Sequence, residues 1–149
     1  MTINAKNLLT GGRFGQKFQL FVESGTWTAP TNGATVNVIV VGGGDSAGPG
    51  ARTGGASSFG SLVSASGGAG QEGVGYGTNG YGLFNFGDGG TGDYNDTPNG
   101  GDAGEIKIYS GTVTTDQTVT IGAGGLASDD SATDGNDGAV FVWWEELRI

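Results

Sequence analysis

Two groups of aspartates are the densest collection of ligating side chains in this chain: Asp88, Asp93, Asp96 and Asp102, then Asp129, Asp130, Asp134 and Asp137. Carboxylates on loops are the ligands calcium prefers, but neither group has EF-hand spacing or the G-G-x-G-x-D repeat of calcium β-rolls. Solvated acidic loops are the expectation, with no metal and no cofactor. Paired carboxylates could also hydrolyse a glycoside, yet nothing in the sequence places any pair in a buried setting that would split their pKa values. The chain has no histidine and no cysteine, so it lacks the usual proton shuttle at neutral pH, the commonest transition-metal ligand and any thiolate nucleophile. It reads as a protein without enzymatic activity. The literal G-x-G-x-x-G at 75–80 neither follows an apolar strand nor opens a helix, so it lacks the geometry that holds a pyrophosphate.

A second set of residues suits binding. Arg52 lies in the small polar stretch 45–53, Tyr76, Asn79, Tyr81, Phe84 and Phe86 in 71–86, and Asp93, Tyr94 and Asn95 in 93–99. Flat aromatic faces beside amides and carboxylates are what a sugar-binding surface needs, the ring stacking on a pyranose while the polar groups bond its hydroxyls. The competing reading packs the phenylalanines beneath the loops and leaves the tyrosines at a wet rim.

These residues need a frame, and the glycines around them set its terms. The chain has 34 glycines in 149 residues. Most of the clusters fall between 42 and 101, among them Gly42, Gly43, Gly44, Gly67, Gly68, Gly70, Gly87, Gly89 and Gly90. A glycine tract offers little apolar surface against the entropy of ordering it. This one is internal, however, and strand-like segments flank it. Without Cβ atoms, extended polyproline-II chains can lie side by side and pair their free amides, or the tract can form ordinary tight turns. The absence of a strict triplet excludes collagen and leaves both alternatives open.

Period-two alternation marks five strands: 16–23 through Phe18, Leu20 and Val22; 35–41 through Val36, Val38 and Val40; 105–109 through Ile106 and Ile108; 118–121 through Val119 and Ile121; and 139–144. The last is apolar on both faces, with Val140, Val142 and Trp144 opposed by Phe141 and Trp143. That pattern asks for cover on both sides and makes Phe141, Trp143 and Trp144 candidates for self-association. The link at 24–33, with Pro30 and the Asn32-Gly33 turn signal, reads as a hairpin-like connection holding Trp27 at a rim. VNVIVVGGG at 36–44 is echoed by TVTIGAGG at 118–125, each a strand running straight into glycines. The expected fold is all-β: a small antiparallel β-sandwich with long ordered glycine-rich loops and a polyglycine-II-like layer as an open possibility. Residues 1–15 read as an N-terminal arm and 16–149 as one domain. A formal charge of −9 argues against nucleic acid and anionic lipid as partners. No stretch approaches the length of a membrane span.

FVESGTWTAP (21–30), VNVIVVGGG (36–44), VTIGAGG (119–125) and DGAVFVWW (137–144) occur in an order that resembles the glycine-rich domain at the ends of bacteriophage tail fibres and related tail-tip adhesins. The resemblance implies a virion protein made in the host bacterial cytoplasm, often a trimer. It would bind a surface polysaccharide or an outer-membrane protein through the variable stretches 45–53, 71–86 and 93–99, with the glycines as scaffold and residues 1–15 as the attachment to other tail proteins. A decoration or assembly protein of the virion with no receptor contact is the alternative. An ice-binding protein is a more distant one, lacking here the flat repetitive threonine face it would need.

Overall fold

A computed structural model describes residues 13–48, 52–69, 82–91, 100–127 and 132–148 of the chain. Eight strands form two four-stranded antiparallel sheets, and no helix occurs among the described residues. β1 (Arg13–Phe21), β8 (Ala139–Arg148), β3 (Ala34–Val41) and β6 (Ile106–Val113) make the first sheet in that order. β2 (Gly25–Trp27), β7 (Gln117–Thr120), β4 (Ser57–Phe59) and β5 (Val63–Ala65) make the second.

The core follows from the alternation in β3 and β8. Val36, Val38 and Val40 point from β3 into the space between the sheets, and Val140 and Val142 join them from β8, all with no exposure. Trp27, Phe59, Ala65 and Val119 close it from the second sheet. Each fully buried valine or phenylalanine contributes on the order of 1.5–3 kcal/mol. Trp27 is not at a rim: it is completely buried, edge-on to Trp144 at a ring separation of 5.5 Å and 5.6 Å from Phe59. The link at 24–33 is therefore not a simple hairpin. Its three-residue strand β2 crosses to the second sheet and pairs with β7, while β1 and β3 are separated by β8.

The other faces of β1, β8, β3 and β6 look away from the core. Leu20, Phe141, Ile39 and Ile108 form one cross-strand row, and Phe18 and Trp143 pair in the next. Phe141 and Ala139 are covered there by Leu83 and Phe86 of the same chain. Much of the remainder is open, with Ile108 72% and Phe18 62% exposed.

Seven glycine-rich segments continue the strands into a bundle. Segment I (42–47) extends β3, III (66–69) extends β5 and VI (121–127) extends β7. Segments II (52–56), V (100–105) and VII (132–138) lead into β4, β6 and β8, and IV (87–91) follows a tight turn. Segment I is the axis. Its N–H groups donate in rotation to V, II and VII: Gly42 to Glu105, Gly43 to Gly55, Gly44 to Asn136, then Asp45 to Asp102, Ser46 to Arg52 and Ala47 to Thr133, at 2.9–3.3 Å. Its carbonyls at Gly43, Gly44 and Asp45 accept from Gly68, Gly125 and Gly90 of III, VI and IV. A partner that returns every third residue is the signature of a helix with three residues per turn, so the arrangement is that of polyglycine II. Bonds between II and III, III and V, V and IV, IV and VII, VII and VI, and VI and II close the outer six segments into a ring.

Positive φ is not what the bundle needs from glycine. Apart from Gly87, its glycines adopt backbone angles open to any residue. Close approach is the requirement: a Cβ on Gly42, Gly43 or Gly44 would strike the backbone of Ser66, Ala123 or Asp88.

Candidate functional site

The register of the bundle gives it two ends. Gly42, Gly87, Glu105, Gly122 and Gly138 lie against the sheets, whereas Ala47, Arg52, Thr91, Gly101 and Thr133 lie at the far end. At about 3.1 Å per residue, these ends are roughly 15 Å apart along segment I. Three connections depart from the far end: 49–51 between segments I and II, 92–99 between IV and V, and 128–131 between VI and VII. Their anchors are tied to one another. Ser46 donates to the Arg52 carbonyl and its hydroxyl accepts the Arg52 N–H at 2.9 Å. Thr91 and Thr133 share a hydroxyl–hydroxyl bond of 2.9 Å, and the Thr91 N–H donates to the Thr133 hydroxyl at 2.7 Å.

The stretch 45–53 is only partly a loop. Asp45, Ser46 and Ala47 are buried, at 1% exposure or less, because segment I keeps its three-residue rotation to Ala47. Arg52 is exposed at the far end. Tyr76, Asn79, Tyr81, Asp93, Tyr94, Asn95 and Gly70 lie outside the described residues. Phe84 is not near Arg52. It sits at the opposite end, on the flank of the bundle where it meets the outer face of the first sheet. Gly42, Gly43, Gly44, Gly67, Gly68, Gly87, Gly89 and Gly90 lie in the bundle, where a Cβ at any of these positions would run into neighbouring backbone.

Among the self-association candidates, Trp144 belongs to the core beside Trp27, and Phe141 is 8% exposed beneath Phe84, Phe86 and Phe18 of its own chain. The cover over Phe141 and Trp144 is thus intramolecular. Trp143 remains partly exposed on the outer face.

Several aspartates accept backbone bonds, Asp134 and Asp137 while remaining exposed to solvent. The carboxylates of Asp88, Asp134 and Asp137 accept the backbone N–H groups of Gly82, Ala127 and Gly124. Outside the glycine segments, Asp116 accepts the Ala29 N–H. Glu105 ends segment V in the same way. The Lys107 ammonium at 2.6 Å and the Ser66 N–H at 3.1 Å hold its carboxyl below the ordinary value of 4.5.

One concavity stands out near Phe84. Leu83 and Phe86 exchange two backbone bonds of 3.0 Å across a two-residue turn in which Phe84 (φ 53°) and Asn85 (φ 68°) both have positive φ. This turn, Val22 and residues 136–138 line a cleft of roughly 300 Å³. Asn136 carried no sequence signal, and Asp137 and Gly138 stood out only through the aspartate group and the DGAVFVWW motif, neither of which pointed to a cleft.

Comparison of the chain with protein-family models, with curated proteins and with solved structures finds no match.

Proposed function

We propose that this chain is a non-enzymatic component of a bacteriophage tail fibre or tail tip that binds a bacterial surface receptor, a polysaccharide or an outer-membrane protein. The carrying observation is the closed ring of six segments around a seventh, which holds the bases of three connections at one end by backbone bonds supplemented by the hydroxyls of Ser46, Thr91 and Thr133. Such a base presents Arg52 and the connection bearing Asp93, Tyr94 and Asn95 from a rigid platform. Loop sequence can then vary at little cost to the fold, because the bonds described for the platform join its own segments to one another. The order of motifs shared with glycine-rich tail-fibre domains supports the same reading.

The test is adsorption. Labelled full-length protein should coat cells of a susceptible host, and a version with 93–98 replaced by glycine and serine should keep its melting temperature and lose the cells. Equal adsorption by both versions would refute the reading.

The second reading, a decoration or assembly protein of the virion, is favoured by the open part of the first sheet's outer face, where Ile108 and Phe18 are largely exposed. An apolar face of this kind fits a tail protein or a further copy of the chain. Under that reading Phe18→Ser and Ile108→Ser would abolish incorporation into virions, and loop replacement would have no effect.

A further inference from the structure

The turn at Phe84 is built against its own stability. A two-residue hairpin with positive φ at both central positions favours Asn and Gly, and Asn85 conforms. Phe84 does not, since a bulky residue at φ 53° is strained. Burial does not offset the strain, because the side chain is 78% exposed. Nor is it needed to cover Phe141, against which Phe86 packs edge-on at 5.8 Å while Phe18 lies 6.4 Å away. What the strained turn achieves is placement: it stands an aromatic ring at the mouth of the cleft, braced 6.1 Å from Phe141.

The polar part of the lining is fixed. The Asn136 amide donates to the Asn85 carbonyl at 2.8 Å, joining the turn to segment VII. Asp137 accepts the Gly124 N–H at 2.7 Å through one carboxylate oxygen. Their backbones are held as well, Asn136 N–H to Asp88 and Gly87 N–H to Asp137, both at 2.8 Å. Each of these two side chains has a further polar atom beyond the one so used. The cleft therefore brings the apolar residues Val22, Phe84 and Phe86 together with Asn136 and Asp137, whose side chains are held in place.

We propose that this cleft, lined by Phe84, Phe86, Asn85, Asn136 and Asp137, is a binding subsite for a single uncharged hexopyranose residue. A pyranose has a C–H face to lay on Phe84 and hydroxyls at its edge for the amide and carboxylate. The volume stands at the small end of ligand sites, enough for one ring and too little for a chain. Asp137 and the net charge of −9 select against sugar acids and phosphosugars. The subsite lies at the other end of the bundle from Arg52 and is independent of the host-receptor reading.

Ligand-observed NMR titration of the full chain with glucose, galactose, N-acetylglucosamine and glucuronic acid tests this. Saturable binding of at least one neutral sugar, with glucuronic acid weaker, is expected. Phe84→Gly and Phe84→Asn should weaken that binding by about tenfold or more while the melting temperature holds or rises, because both residues suit the turn. No saturation by any neutral sugar up to about 50 mM overturns the proposal. So does unchanged affinity in both variants, and so does a lowered melting temperature in both, which would assign the ring to packing. Isolated host polysaccharide, tested beside the free sugars, tells a terminal residue of a glycan from a free monosaccharide. Sugar binding that survives replacement of 93–98 keeps the subsite while the far-end receptor reading stands or falls by itself.

Discussion

Gly44 faces the carbonyl oxygen of Asp88 so closely that a Cβ would fall well inside van der Waals distance of it and of the Gly87 carbonyl. Neither obstacle can turn aside, since both are backbone atoms of a neighbouring segment that is itself bonded on other sides. Gly44→Ala should therefore cost on the order of 3 kcal/mol. Gly25→Ala is the matched control. Its Cβ would meet only the Phe21 ring at an ordinary 3.7 Å, and a change within about 0.5 kcal/mol is expected. Urea unfolding of the two variants beside the parent chain measures the contrast.

Trp27 joins the two sheets through Trp144 and Phe59, and its indole N–H has no hydrogen-bond partner among the described residues. Trp27→Ala removes the largest side chain of the core and should destabilise by about 3–5 kcal/mol. Trp27→Phe keeps most of the ring contact and forfeits no hydrogen bond, so its cost should be less than half of that. Thermal unfolding followed by circular dichroism ranks the two.

Glu105 gives a pH dependence whose sign is set by its neighbours. Lys107 and the Ser66 N–H favour the charged form, so the folded-state pKa lies below 4.5. Its contribution to stability is complete above the unfolded-state value and is lost as pH falls through the lower folded-state value. Glu105→Gln should thus be less stable than the parent at pH 6, with the gap closing below pH about 4. Denaturant midpoints measured from pH 3 to 6 follow it. The carboxylate is exposed, which keeps the effect small and sensitive to salt.

Legibility in the sequence tracked side-chain pattern. Val36, Val38 and Val40 announced β3 because one face is fully buried, and Val140 and Val142 announced β8 in the same way. β4 and β5 went unseen because three-residue strands such as Ser57–Phe59 are too short for alternation to show. Phe18 and Leu20 alternate as clearly as the valines yet look outward, since period two marks a face without saying which side is solvent. The bundle was legible only as a possibility. Glycine marks where backbones can approach, but the pairing of Gly42 with Glu105 across more than sixty residues rests on bonds between main-chain atoms that every sequence has. The cleft was hidden for a related reason: Phe84 meets residues 136–138 only after segments IV and VII pair.

The last rung of the ring is the place where fold and proposed function can be separated. Thr91 and Thr133 anchor the connections 92–99 and 128–131, and the Thr133 hydroxyl accepts the Thr91 N–H as well as bonding its hydroxyl. Thr133→Val removes both, together with the hydroxyl's longer bond to the Thr91 carbonyl at 3.4 Å, and leaves the Thr133 N–H to Thr91 carbonyl bond at 3.0 Å in place. A loss of about 1 kcal/mol confined to that end should speed exchange of the Thr91 amide about fivefold. Amides of segment I near the sheets, such as Gly42 and Gly43, should exchange as slowly as in the parent. Thr133→Ser, which retains the hydroxyl, should restore the parent rate. If the connections at this end carry receptor binding, Thr133→Val should also weaken adsorption to host cells at unchanged melting temperature, because the loop bases lose their fixed spacing while the core stays intact. Exchange that quickens throughout segment I would show that the far end is not a local unit and that the ring opens as a whole.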